Sequence, residues 1–219
     1  MVSLIETQDG SHSLHSDRFG VSYHSKYGAI QESQHVFLKS GLGVVLPAKE
    51  SVRIFEMGFG SGLNAYLSLL AAEKAKKQIY YEAVEAYPLT PEQASELNYP
   101  AQLSEDQKPF QALHEVEWGK EEVITPFFQL LKWQQTLQEA PLTGKFDVVY
   151  YDAFGPRAQP ELWELPALKK VYDAMNNGGV FVTYCAKGAV KRTMKEIGFQ
   201  VEGLPGPPGK REMTRAVKP

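Results

Sequence analysis

The 219-residue chain is 43% apolar with a formal charge of -3. That is enough for one filled core, and too little positive charge for nucleic-acid contact other than through a local patch. Cys185 is the only cysteine, which excludes internal disulfides and cysteine-rich metal clusters, and the absence of an apolar leader or membrane-length apolar run predicts a soluble, cytoplasmic protein.

In chain order, LIETQDGSHSL sets two half-polar segments around Asp9-Gly10, a dipeptide suited to a tight hairpin turn because both residues tolerate positive φ. Ile30, Val36, Phe37 and Leu38 share one face of a helix over 29–42, which Gly41 and Gly43 close. Strands and helices then alternate: strand 52–57, helix 62–77, strand 79–85, and a helix opening at Thr90, where Thr90-Pro91-Glu92-Gln93 forms a capping signature. There follow strands at 124–131 and 146–151, helix 165–175, strand 180–185, helix 189–197, and a short pair at 199–201 and 213–217. Residues 98–120 show no clear period. The alternation predicts βαβ units and a mainly parallel sheet covered on both faces, in a single domain over 1–219 with a lead-in over 1–50 and a core over 51–219.

The stretch FEMGFGSGLN joins the first core strand to its helix. Such a turn exposes unpaired N–H groups, and glycine lets a ligand approach without meeting a Cβ. Gly58, Gly60 and Gly62 are spaced G-x-G-x-G rather than in the dinucleotide pattern G-x-G-x-x-G, which argues against a nicotinamide cofactor. Glu56 at the strand end is placed to accept an ammonium, and Glu85, at the end of the next strand, to hold ribose hydroxyls. An amino group and a ribose describe S-adenosylmethionine; the competing reading is a tight connection with no ligand. Phe59, Asn64 and Ala86, inside or beside these motifs, complete the candidate cofactor set with Asp152.

The buried-strand pattern FDVVYY ends at Asp152 and runs into AFGPRAQPELW. Ligands of doubly wound sheets sit beyond the carboxyl ends of the strands, so Asp152 and Phe154 are expected in the same crevice as the glycine turn. Read alone, Asp152 is equally a loop cap and Trp163 equally a packing residue.

Together, Asp152-Ala153-Phe154, Gly155-Pro156, Pro160-Glu161-Leu162-Trp163, GFGSGLN, VEAYPLT and GKREM resemble the methyltransferase part of the MnmC family, from about Tyr23 through Met213. The resemblance implies a Rossmann-like class I S-adenosylmethionine-dependent methyltransferase with a seven-stranded mixed α/β sheet, order 3-2-1-4-5-7-6, the last strand antiparallel. It implies a stand-alone form acting on the amine of 5-aminomethyl-(2-thio)uridine at the wobble position of tRNA. Whether a separate enzyme supplies the aminomethyl form stays open. Where such folds commonly place an acidic adenine contact, this chain has FFQLLKWQQTL, leaving Trp133 as a stacking platform or a core residue.

The catalytic candidates are Asp152, to orient the amine and accept its proton, and Phe154, to stack on the base, with Tyr151 and Trp163 as further stacking candidates. From Lys187 onward eight basic residues face three acidic ones, a balance of +5 that leaves -8 for the rest of the chain. Lys187, Lys191, Arg192, Lys210 and Arg211 are therefore the candidate contacts for the anticodon-loop backbone of tRNA. The five histidines form no ligand spacing, which predicts no metal. Two alternatives remain in view: an aminopropyl transferase of the polyamine synthase type, and a catalytically silent tRNA-binding module.

Overall fold

The computed structural model describes residues 2–142 and 144–219. At the N-terminus β1 (Val2–Glu6) and β2 (His12–Ser16) pair antiparallel across a turn in which Gly10 has φ +78°, and β3 (Val21–Ser22) extends the hairpin to three strands. The lead-in helix begins as α1 (Ala29–Ser33) and widens into a π-helix over Gln34–Leu42. It ends in α2 (Gly43–Val45) and a 3-10 turn at Leu46–Ala48. This helix packs directly on the sheet at Gly41, where an added Cβ would stand 2.9 Å from Val182 Cγ2 and 3.2 Å from Tyr150 Cε1.

The main sheet comprises β4 (Ser51–Met57), β5 (Gln78–Val84), β6 (Glu121–Thr125), β7 (Phe128–Trp133), β8 (Phe146–Tyr151), β9 (Met175–Thr183), β10 (Gln200–Pro205) and β11 (Glu212–Val217). Its order is β10-β11-β9-β8-β4-β5-β7-β6. The pairs β4/β5, β4/β8, β5/β7 and β8/β9 are parallel, whereas β11 runs antiparallel to both β9 and β10. With β6 set aside, this is the order 3-2-1-4-5-7-6 with the last strand antiparallel. β6 adds an eighth, antiparallel strand at the edge, because the segment expected as one strand over 124–131 folds back on itself about Pro126 and Phe127.

Side chains alternate between two cores, since successive strand residues point to opposite faces. Ile54, Tyr81, Val148 and Tyr150 meet the lead-in helix, α3 (Leu63–Ala75) and the later helical segment on one face. Phe55, Val149, Tyr151 and Phe181 meet α7 (Leu165–Asp173) and α8 (Gly188–Ile197) on the other. Between β5 and β6 lie α4 (Pro91–Ser95), α5 (Tyr99–Leu103) and α6 (Gln107–Glu115), the last two in the segment without a clear period. α4 carries the expected capping box: Gln93 N–H donates to Thr90 Oγ1 at 3.3 Å and Thr90 N–H to Gln93 Oε1 at 3.0 Å.

The chain leaves β4 toward β5 on one side and reaches β8 on the other. The carboxyl ends of β4, β5 and β8 thus form the crevice where an open α/β sheet holds its ligand.

Candidate active site

The glycine loop follows β4 and is held by the neighbouring strand ends. Gly58 N–H donates to Val84 O at 2.9 Å, and Asp152 N–H to Met57 O at 3.0 Å. Gly58, Gly60 and Gly62 have φ of +91°, +51° and +74°, a region L side chains avoid. A Cβ on Gly58 would stand 3.1 Å from the Asp152 carbonyl oxygen, so loop and β8 end touch backbone to backbone. Beyond them opens a cleft of about 640 Å³, counting the solvent at its mouth.

The cleft brings together Gly58, Phe59, Gly60, Asn64, Glu85, Ala86, Asp152 and Phe154 from the sequence-derived set. Glu85 accepts the Gly60 N–H at 3.0 Å on one carboxylate oxygen and the Tyr87 N–H at 2.8 Å on the other. Burial raises its pKa, and these backbone donors oppose the rise. Asn64, on the first turn of α3, donates one amide to two carboxylates, Glu56 Oε1 and Asp152 Oδ2, each at 2.9 Å. Glu56 is fully buried, stands behind Asn64 and does not line the cleft; burial holds its pKa well above the carboxylate range. Asp152 is half-buried and lines the cleft; burial, reinforced by the Glu32 carboxylate, pushes its pKa up to about 7, against Asn64 and Lys210.

Gly62, also outside the cleft lining, starts α3, and its Cβ would meet His114 Nε2 at 2.8 Å. The ring of Phe154 stands at the mouth, 5.0 Å from Phe19 and 5.2 Å from Tyr23 between centroids. Trp163 is only 4% exposed and outside the cleft; its indole N–H donates to Phe154 O at 2.7 Å and its ring packs edge-on against Tyr151. It positions the loop that carries Phe154. Tyr151 is fully buried, stacked on Phe181. Trp133 likewise lies away from the cleft, donating to Glu82 Oε1 at 2.9 Å.

The five basic candidates separate. Lys187, Arg192 and Arg211 are exposed, and among the described residues no ion pair engages them. Lys191 is bound to Glu212 at 2.7 Å. Lys210 pairs with the buried Glu32 and lies 4.0 Å over the Tyr184 ring. Among the described residues no three His, Cys, Asp or Glu side chains cluster as metal ligands, and no helix is long and apolar enough to cross a membrane.

Sequence reasoning missed Phe19, Tyr87 and Gln159 in the cleft wall. Phe19 arrives through strand pairing of the N-terminal sheet and is tied down by Arg18, whose guanidinium lies 3.8 Å over the Tyr87 ring. Nothing local in the sequence announces that reach. Tyr23 and His24, also in the wall, open the stretch YHSKYGAIQESQHVFL that carries part of the family resemblance. Burial lowers the His24 pKa to about 4, which leaves a neutral imidazole whose Nδ1 bonds Ser13 Oγ at 3.0 Å.

Residues 113–219 match the model of a family described as S-adenosyl-L-methionine-dependent methyltransferase. Curated relatives include the tRNA 5-methylaminomethyl-2-thiouridine biosynthesis bifunctional protein MnmC of Marinomonas sp., 32% identical over 213 residues, which takes in 91% of this chain and 32% of the relative. The MnmC of Paracidovorax citrulli is 32% identical over 91% of this chain and 33% of its own length. The chain thus spans about a third of the length of these curated relatives. Among solved structures it is similar to MNMC2 from Aquifex aeolicus, with TM-score 0.80 and 25% identity over 99% of this chain and 70% of that one. It shares its fold with spermidine synthase from Thermotoga maritima at TM-score 0.63 and 15% identity.

The residues present fit S-adenosyl-L-methionine. Asn64 Oδ1, in the cleft wall, is a buried acceptor that meets no hydrogen-bond donor, suited to a donor-rich group. Gly58 and Gly60 keep the floor free of Cβ atoms, and Glu85 retains lone pairs for hydroxyl groups beyond its backbone donors.

Proposed function

We propose that this chain, an S-adenosyl-L-methionine-dependent methyltransferase homologous to MnmC, methylates the amine of 5-aminomethyl-(2-thio)uridine at the wobble position of tRNA in the cytoplasm. The observation that carries the reading is a carboxylate, Asp152, poised beside the glycine loop at the aromatic mouth formed by Phe154, Tyr23 and Phe19. When bound, S-adenosyl-L-methionine supplies an electrophilic methyl group. The chain's own residues have to present an uncharged amine to it.

An alkyl ammonium titrates near ~10.4, so only about one molecule in a thousand is nucleophilic at neutral pH. Asp152, with a pKa of about 7, is ionised enough at working pH to hold the ammonium and weakly hydrated enough to accept its proton. Asn64 donates to Asp152 Oδ2, which leaves Oδ1 as the oxygen for the amine. Phe154, with Phe19 and Tyr23, offers ring faces and edges to a base extruded from the anticodon loop, where bases are already unpaired. Much of the acceleration comes from this alignment, which can be worth roughly 7–11 kcal/mol.

The test is transfer of labelled methyl from S-adenosyl-L-methionine to tRNA lacking the terminal wobble methyl, followed by nucleoside analysis. Label in 5-methylaminomethyl-2-thiouridine is expected. Binding of the cofactor without label in tRNA would overturn the substrate assignment.

A further inference from the structure

Lys210 belongs by sequence with the phosphate-binding candidates, yet its surroundings are those of an internal brace. It sits in the turn between β10 and β11, where Gly206 N–H donates to Arg211 O at 3.1 Å and Lys210 N–H to Pro207 O at 2.9 Å. The turn is pressed against the N-terminal part of the molecule. His35 Nε2 bonds Pro205 O at 2.8 Å, and a Cβ on Gly209 would overlap the Tyr27 ring at 2.0 Å. The Lys210 ammonium is thereby delivered to Glu32, whose side chain is 7% exposed, and to the face of Tyr184.

Each of these partners holds one wall of the cleft. Glu32 Oε2 accepts the Ser25 N–H at 2.7 Å, which fixes the segment bearing Tyr23 and His24. Tyr184 Oη donates to Ala153 O at 2.8 Å, which fixes the segment bearing Asp152 and Phe154. A cation that binds a buried carboxylate and a ring face together is costly to remove, because the carboxylate is left uncompensated.

We infer that Lys210 is a positioning residue for the acceptor end of the cleft, joining segment 23–25 to segment 152–154 through Glu32 and Tyr184, and is not a contact for tRNA phosphate. The inference rests on the proposed reading of that end as the amine site. The same charges bear on Asp152: Glu32 raises its pKa, and Lys210 opposes the rise. The other groups facing Asp152 are Asn64 from α3, Glu56 from β4, Tyr81 from β5, Tyr99 from α5 and Tyr184 after β9.

The experiment compares wild type, Lys210→Met, Lys210→Arg and Glu32→Gln in methyl transfer to undermethylated tRNA, as a function of pH and salt. Lys210→Met is expected to lose on the order of 100-fold in kcat. KM for tRNA and the salt dependence of binding should stay as in wild type, and Lys210→Arg should recover part of the loss. The pH at half-maximal kcat should move up in Lys210→Met, where a cation is lost, and down in Glu32→Gln, where an anion is lost. A raised KM with a salt slope smaller by about one and kcat retained would make Lys210 a phosphate contact. Equal losses in both variants with unmoved pH profiles would reduce the pair to a fold brace. Carboxyl NMR titration of Asp152 reads the same opposite shifts without turnover. If wild type binds the cofactor but does not methylate tRNA, the substrate reading fails while the positioning role of Lys210 is still judged by that titration.

Discussion

Asp152 and Glu56 share the Asn64 amide at equal distances, but burial separates their roles: Glu56 is sealed inside, and Asp152 opens on the cleft with a pKa of about 7. If Asp152 holds and deprotonates the amine, kcat/KM should fall as pH drops through about 7, as the carboxylate protonates. Asp152→Asn should keep cofactor binding and lose on the order of 100-fold or more in kcat, read from single-turnover methyl transfer to tRNA. Unchanged turnover at saturating tRNA would remove the role. Stability should respond in the opposite sense. An acid whose folded pKa is raised above its unfolded value costs stability increasingly as pH climbs from near 3.8 to about 7. Asp152→Asn should therefore raise the unfolding free energy at pH above about 7 by on the order of 1 kcal/mol after discounting for solvent access, seen as a higher Tm, and leave both unchanged in acid. Thermal melts across pH distinguish that pattern from a uniform gain.

At the scale of the element, the glycine loop is held by backbone rather than by side chains, so a methyl group is enough to disturb it. Gly58→Ala would put its Cβ 3.1 Å from the Asp152 carbonyl oxygen at a φ of +91°, and that backbone oxygen has no rotamer to yield. The expected cost is roughly 1–3 kcal/mol of stability together with a weaker cofactor, measured by urea unfolding and by calorimetric titration of S-adenosyl-L-methionine. Wild-type affinity in Gly58→Ala would mean that the loop is not the floor of the site. The loop was readable from its glycines, and so were Glu85 and Asp152, because each ends a strand whose apolar run is plain in the sequence. The capping box at Thr90 was equally plain, being a purely local device. The turn that splits β6 from β7 was not, since Thr125-Pro126-Phe127 lacks the glycine and asparagine signals of tight hairpins. Nor was α6, though its cap was there to find: Asp106 Oδ1 accepts the Lys108 N–H at 3.0 Å, but the short helices around it break the period.

At the scale of the whole molecule, charge is divided between an acidic body and a basic last stretch, and the sequence showed that division without showing which cations are free. Pairing is a tertiary property: Lys191 is matched with Glu212 and Lys210 with Glu32, whereas Lys187, Arg192 and Arg211 face solvent. Phe19 is the same kind of omission, since it reaches the cleft only because the N-terminal sheet crosses to Tyr87. If the proposed tRNA substrate holds, a body that repels phosphate leaves the affinity to these solvent-facing cations, and each one that neutralises a phosphate adds roughly 0.7–0.9 to the slope of log K against log salt. Replacing Lys187, Arg192 and Arg211 together by Ala should therefore flatten that slope by about two units and weaken binding most at low salt, with kcat at saturating tRNA retained. Lys191→Ala should leave the slope nearly unchanged, because its charge is already spent on Glu212. Filter binding over a salt series measures both, and a triple variant with the wild-type slope would move the tRNA surface off the C-terminal stretch altogether.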